Sequence, residues 1–160
     1  MKTALIFGSS GLIGGHLLNR LIQDNNYTKI KVFVRNDPQI NDDKLEIIKT
    51  DFQNLENYKE NIKGDDCFFC IGTTKKNSPD KYEYKRVELD IPKKIAQIAK
   101  LNLVKSFFFV SSGYADSKSS GDYLKFKGLV EEELKRLNFS KLGIMRPSFL
   151  MGDRKENRVG

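Results

Sequence analysis

The sequence predicts a doubly wound α/β fold, a parallel sheet with helices on both faces, from two observations. Short apolar runs of strand length alternate along the whole chain with segments whose apolar residues fall three and four apart. The first run ends directly in a glycine-rich turn, Gly8-Ser9-Ser10-Gly11-Leu12-Ile13-Gly14, which opens a helical pattern. Alternation of this kind requires crossover connections, and right-handed crossovers bury a parallel sheet beneath helices on either side.

Taken in order, Thr3 to Phe7 is a strand, and Leu12, Leu17, Leu18, Leu21 and Ile22 mark one face of the helix after it. Ile30 to Val34 and Leu45 to Ile48 are the second and third strands. A short helix is expected over Leu55 to Ile62, then a fourth strand at Cys67 to Ile71. Val87, Ile91, Ile95 and Ile98 place a long helix over Tyr82 to Lys100, with Pro92 bending it or marking where regular helix begins. Phe107 to Val110 is apolar throughout, as a buried parallel strand should be. Leu124, Leu129, Val130, Leu134 and Leu137 carry the last helix, and Leu142 to Met145 the sixth strand.

At 160 residues the chain reads as a single domain, residues 1–160, with enough length for a real core. Its net charge of +7 is spread among acidic residues with no basic run longer than Lys75-Lys76 or Lys93-Lys94, which argues against a nucleic-acid surface and suits a phosphate-bearing small ligand. No apolar stretch is long enough to span a membrane, and Gly8 to Gly11 interrupts the only run resembling a signal peptide. The expected address is the cytoplasm, which agrees with only two cysteines. Those two form Cys67-Phe68-Phe69-Cys70 on a strand, where residues three apart face opposite sides. They read as buried thiols, and no metal site is expected.

A doubly wound sheet binds ligands in the crevice at the carboxyl ends of its strands. The glycine turn lies there, after a strand and before a helix, the context that gives such a motif meaning. Gly8 permits the turn, Gly11 lets backbone approach a pyrophosphate, and Gly14 allows close helix packing. Ser10, Leu12 and Ile13 present the helix N-terminus to the anion. This is a Rossmann-type dinucleotide site. The second strand ends in Arg35 instead of the acidic residue typical of NAD sites, which favours the 2′-phosphate of NADP (NADPH) over NAD, with Asp37 nearby as a complication. Asp51 and Phe52 are placed to touch the adenine, and Gly72, Thr73 and Thr74 to flank the second half of the cofactor.

Ser111-Ser112 ends the fifth strand, and Tyr123 and Lys127 lie four apart on the following helix, hence on one face. A phenol is a weak acid at neutral pH, and an adjacent ammonium favours its ionised form. A strand-end serine could hold the substrate oxygen, completing a Ser-Tyr-Lys proton-transfer set.

With these residues in view, the chain resembles the short-chain dehydrogenase/reductase superfamily, in its extended or atypical group. More narrowly, Cys70 through Thr74, Val110 through Asp116, Tyr123 through Glu131 and Met145-Arg146-Pro147 through Gly152-Asp153-Arg154 are similar to the Tat-interacting-protein-like oxidoreductases. The resemblance implies bound NADP(H), Ser112, Tyr123 and Lys127 as the catalytic set, and Pro147 with Ser148 beside the nicotinamide. Ser112 is preferred because the serine of the family is the later one. Two departures stand out. Relatives often carry two arginines after the second strand, whereas Asn36 follows Arg35 here. Relatives also continue past residue 160, so part of the substrate region is expected to be missing.

The leading expectation is an NADP(H)-dependent oxidoreductase acting on a small carbonyl or alcohol, without nucleic-acid or membrane partners. The alternatives are an NADPH-sensing binding protein without turnover, and an epimerase or dehydratase using tightly held NAD. Oligomeric state stays open; the superfamily implies a homodimer through the helices after the fourth and fifth strands.

Overall fold

A computed structural model of the protein describes residues 1–148. Its strands are β1 (Lys2–Phe7), β2 (Tyr27–Val34), β3 (Leu45–Lys49), β4 (Asp66–Phe69), β5 (Ser106–Val110) and β6 (Lys141–Met145). They form one parallel sheet in the order β3-β2-β1-β4-β5-β6. The chain starts at the centre, winds out to β3 and returns on the other side of β1 at β4. That reversal opens the crevice at the carboxyl ends of β1 and β4. The doubly wound α/β fold expected from the sequence is the fold observed.

The helices are α1 (Leu12–Gln23), α2 (Lys81–Lys85), α3 (Ile91–Leu101) and α4 (Asp122–Leu137). Strand residues alternate between two cores. Leu5, Phe7, Cys67, Phe69, Phe107 and Phe109 pack with α3 and α4, whereas Ala4, Ile6, Ile30 and Val32 pack with Leu18 and Leu21 of α1. On the first face the register aligns Phe33, Phe7, Phe69 and Phe109 across four neighbouring strands. Their rings are 4.2, 6.1 and 6.0 Å apart in succession. Each buried ring contributes roughly 1.5–3 kcal/mol. Together they make a rigid floor beneath the crevice. On the opposite face, Phe68 and Phe108 are half-buried and stack at 5.0 Å.

Three departures from the expected elements have local causes. The helix expected over Leu55 to Ile62 is only a 3₁₀ turn, Leu55–Tyr58. Its cap, Asn54, makes no side-chain hydrogen bond, and polar residues at 57 and 59–61 extend no apolar face. β2 starts earlier than Ile30 because Tyr27 is buried and its hydroxyl donates to Asp66 at 2.6 Å. The long helix is interrupted by a π turn, Arg86–Asp90, between α2 and α3. Pro92 sits in the first turn of α3, where a missing N–H is tolerated, so it marks where regular helix begins.

Candidate dinucleotide and active site

β1 delivers the chain to Gly8 at φ +92°, where a Cβ would lie 2.6 Å from the Cys70 backbone. Gly14 passes so close to this turn that a Cβ would sit 1.9 Å from the Gly8 carbonyl oxygen. These two glycines fix the loop and seat α1 against it. Gly11 does neither: its Cβ position meets only Gly8 O at 3.6 Å, and the residue is exposed. Gly11 leaves an open approach to the backbone. As the N-cap of α1 it makes no side-chain hydrogen bond, and the first turn, from Leu12 and Ile13, holds no acidic residue. The helix therefore keeps its uncapped N–H groups and partial positive charge for an anion. Ser10 is exposed beside it, whereas Ser9 is buried with its hydroxyl unpartnered among the described residues. A phosphate or ribose oxygen would satisfy that hydroxyl, and the residues fit a pyrophosphate.

On the adenosine side, Arg35 is exposed just past β2. Asp37 is engaged in its own turn, accepting the Gln39 N–H at 2.7 Å. The Thr50 N–H donates to Val34 O at 2.8 Å, so the segment after β3 runs beside Arg35. Asp51 is exposed and accepts the Gln53 N–H at 2.9 Å. Phe52 adopts φ +58°, with its N–H donating to Thr50 Oγ1 at 3.0 Å. Its ring lies in the core, 8% exposed, which leaves its backbone open at the carboxyl end of β3. Arg86 donates to Phe52 O at 2.7 Å.

On the nicotinamide side, Gly72, Thr73 and Thr74 leave β4 in a folded loop, with Ser78 N–H donating to Thr74 O at 2.8 Å. Thr73 N–H donates to Glu88 Oε1 at 2.6 Å. The π turn swings Glu88 inward, and its Oε2 faces Lys127 Nζ at 3.2 Å, as an ion pair without an aligned hydrogen bond. Lys127 Nζ also lies 5.1 Å from the centre of the Phe109 ring and 5.7 Å from that of Tyr123. Tyr123 is 41% exposed, so the pair expected from spacing is present: a buried ammonium beneath an accessible phenol. Tyr84 is buried close by, and burial, then the charges of Glu88, Tyr123 and Asp122, push its phenol up to about 12.

The two strand-end serines differ in surroundings. Ser111 is buried and donates to Glu131 Oε1 at 2.6 Å, a carboxylate that also accepts from Arg146 Nε at 2.9 Å. Ser112, the next residue, is half-buried, and the Gly113 N–H donates to Pro147 O at 3.2 Å. That bond holds Pro147 alongside the serine. Gly152, Asp153 and Arg154 of the sequence motif lie outside the described residues. Glu88, Ser9 and Arg86 were not singled out in the sequence. Glu88 reads there as one more polar helix residue, and only the π turn reveals its direction.

Cys67 and Cys70 are two free thiols. Burial raises Cys67 well above the usual thiol range and pushes Cys70 up to about 12, so neither is a thiolate at neutral pH. Among the described residues no group of acidic, His or Cys side chains could hold a metal ion.

A sequence profile described as NAD(P)H-binding matches residues 8–159. The chain belongs to that family. Within it, the chain sits in the HTATIP2-like branch of the atypical short-chain dehydrogenase/reductases. It is 34% identical to Protein HTATIP2 of Rattus norvegicus over 165 residues, covering 99% of this chain and 67% of that protein. It is 30% identical to Protein FMP52, mitochondrial, of Candida glabrata over 99% of this chain and 68% of that protein. Among solved structures, Pen from Bacillus thuringiensis matches with a TM-score of 0.81 at 19% identity, over 98% of this chain and 52% of that one. The enzyme WbmH of Bordetella bronchiseptica, in complex with NAD+, matches with a TM-score of 0.74 at 16% identity, over 91% of this chain and 56% of that one. The chain thus spans about two thirds of these family relatives and about half of the solved chains it matches. The structural likeness shows the fold, a doubly wound α/β sheet, and the matching profile places the chain in an NAD(P)H-binding family.

One expectation is corrected. FMP52 proteins of the family, in Candida glabrata and Debaryomyces hansenii among others, are named mitochondrial, which overturns the cytoplasmic assignment. That assignment rested on apolar-run length, a test for membrane spans and secretory signals that does not report an organelle. No helix among the described residues is long and apolar enough to cross a membrane.

Proposed function

We propose that this chain binds NADP(H) along the Gly8–Gly14 loop and serves as an oxidoreductase on a small carbonyl or alcohol. The observation that carries the reading is the placement of Lys127. Its ammonium is buried beneath the accessible Tyr123 ring and tied through Glu88 to the loop after β4, at the carboxyl ends of the strands. The nicotinamide, when bound, supplies the hydride chemistry. Tyr123 holds the proton exchanged with the substrate oxygen, and the Lys127 ammonium lies beneath its ring. Ser112 orients that oxygen by hydrogen bonding. The aromatic floor ending in Phe109 keeps water from the underside of Lys127. Arg35, exposed just past β2, supports NADP over NAD.

A second reading, a dinucleotide-responsive binding protein without turnover, draws on one observation: Glu88 offsets the charge of Lys127. A screen of small carbonyls with NADPH, run on the wild-type chain and on Tyr123→Phe, separates the two. The enzyme reading expects NADPH oxidation that Tyr123→Phe abolishes while cofactor affinity stays within about twofold. Binding without oxidation across the screen favours the second reading, and substantial activity in Tyr123→Phe contradicts the first.

A further inference from the structure

We propose that Arg86 is a second determinant of cofactor choice beside Arg35, supplying a guanidinium for the 2′-phosphate of NADP(H), with Glu83 as the counter-ion that moderates it. The inference rests on the dinucleotide reading above and extends it to the adenosine end.

The geometry begins with β2 and β3. In this fold the residue ending β2 meets the 2′ position of the adenosine ribose, and here that residue is Arg35. The segment after β3 is tied to the end of β2 by the Thr50 N–H bond to Val34 O, and two residues later the chain turns at Phe52. Arg86 Nη1 donates to Phe52 O at 2.7 Å, which brings a second guanidinium to the same edge of the sheet. Nε and Nη2 donate to the two carboxylate oxygens of Glu83 at 2.8 and 2.7 Å. Three of the five guanidinium N–H donors are thereby used, and two remain for a ligand.

Charge places Arg35 in the same cluster. The hydrogen bond from Arg86 holds the Glu83 carboxyl below its usual range, and the charge of Arg35 reaches it as well. Asp51 and Asp90 act in turn on Arg86. The Arg86 side chain is 25% exposed and that of Glu83 44%, so both face the solvent from which a cofactor arrives. Beside them opens a depression of about 440 Å³ between Phe52–Glu56 and α3, with Arg86 on its wall. Arg35 and Arg86 together carry two positive charges, and Glu83 cancels one. A 2′-phosphate, with a charge close to −2, would accept from the two remaining donors of Arg86, against the repulsion of the neighbouring Glu83 carboxylate. A ribose hydroxyl carries no charge for Arg86 to pair with. In the sequence the uncharged Asn36 follows Arg35, and Arg86 brings a second positive charge from a different element.

A structural role for Arg86 predicts something else. If it only props the Phe52 turn, its loss weakens the adenine edge for both dinucleotides alike. The test is therefore a ratio. NADP+ and NAD+ are titrated calorimetrically into the wild-type chain, Arg86→Met, Arg86→Lys and Glu83→Gln, each checked for folding by circular dichroism. Arg86→Met should weaken NADP+ by about tenfold and NAD+ by less than about twofold, with Arg86→Lys recovering part of the loss. Glu83→Gln should strengthen NADP+ severalfold and leave NAD+ unchanged. It also keeps the test alive should Arg86→Met fail to fold, because it retains the guanidinium. Equal weakening of both dinucleotides in Arg86→Met, or an unchanged ratio in the variants, overturns this inference and leaves dinucleotide binding standing. Failure of the wild-type chain to bind either dinucleotide overturns the underlying reading and this inference with it.

Discussion

Lys127 and Glu88 form an ion pair 3.2 Å apart in which the lysine side chain is 5% exposed and the glutamate 0%. Two charges withdrawn this far from water are held by each other and by the groups that complete their shells, here Thr73 N–H on one side and the Phe109 face on the other. The pair joins α4, which carries Tyr123 and Lys127, to the loop after β4 through the π turn.

Breaking that pair from one side leaves a buried charge uncompensated. Lys127→Met or Glu88→Gln alone should cost about 3–5 kcal/mol of stability. The double variant should cost clearly less than the sum, because no lone charge remains and the Gln oxygen still accepts from Thr73. Urea unfolding of the four proteins measures this directly. Additive losses would mean that the pair is not coupled.

Neighbouring glycines in α1 should respond oppositely to alanine. At Gly14 a methyl group would meet the Gly8 carbonyl oxygen at 1.9 Å, and Gly14→Ala should destabilise by about 1–3 kcal/mol or abolish folding. At Gly15 the nearest atom is Ser9 O at 3.5 Å, ordinary contact, so Gly15→Ala should gain up to about 1 kcal/mol from helix propensity. Thermal melts of the two variants check the contrast.

Acid sensitivity follows from three carboxylates. Burial tends to raise Asp66 and Glu131, but hydrogen bonds win: from Tyr27, Ser106 and Lys2 for Asp66, and from Arg146 and Ser111 for Glu131, so both end lowered. Glu133 is lowered to about 2, chiefly by its hydrogen bond from Arg136. A carboxyl that holds its proton less tightly folded than unfolded stabilises the fold above the ordinary range near 4 and loses that contribution as pH falls. Stability measured in urea should be level from pH 7 to about 5 and fall steadily towards pH 2. Asp66→Asn should flatten part of that fall. A fall of unchanged steepness in the variant would remove Asp66 from the account.

The thiols offer a simple check on the core. Cys67 is fully buried, and burial pushes Cys70 up to about 12, so a thiol reagent at pH 8 should label neither in the native chain and both in urea. Rapid native labelling would contradict the placement of β4.

The strands were legible because their chemistry is one-sided. Phe107, Phe108 and Phe109 can belong only to a buried strand, and Gly8, Gly11 and Gly14 after such a strand announce the turn. Tyr123 and Lys127 were legible from their spacing together with their place one loop after a strand-end serine and downstream of the glycine turn. Glu88 was not, since Val87 and Leu89 flank it as in any helix, and only the wider π turn rotates it onto Lys127. The distinct settings of Ser111 and Ser112 depend on Arg146 and Glu131, brought together by β6 and α4, and local sequence does not contain that meeting. The setting of Phe52 was hidden for a related reason: its positive φ turns the ring into the core and leaves its carbonyl to Arg86.

The central claim is that a dinucleotide lies on the glycine loop, and Gly11 allows it to be tested without disturbing the fold. Gly11 has only an ordinary contact at its Cβ, Gly8 O at 3.6 Å, and an extended backbone at φ −81° and ψ 176°. Gly11→Glu should therefore fold normally while placing bulk and negative charge where the pyrophosphate would rest. The measurement is calorimetric titration of NADPH into the wild-type chain and into Gly11→Glu, with matched circular dichroism spectra. Saturable binding to the wild-type chain and none to the variant is the expected result. Absence of binding to the wild-type chain, or equal binding to both, would contradict it.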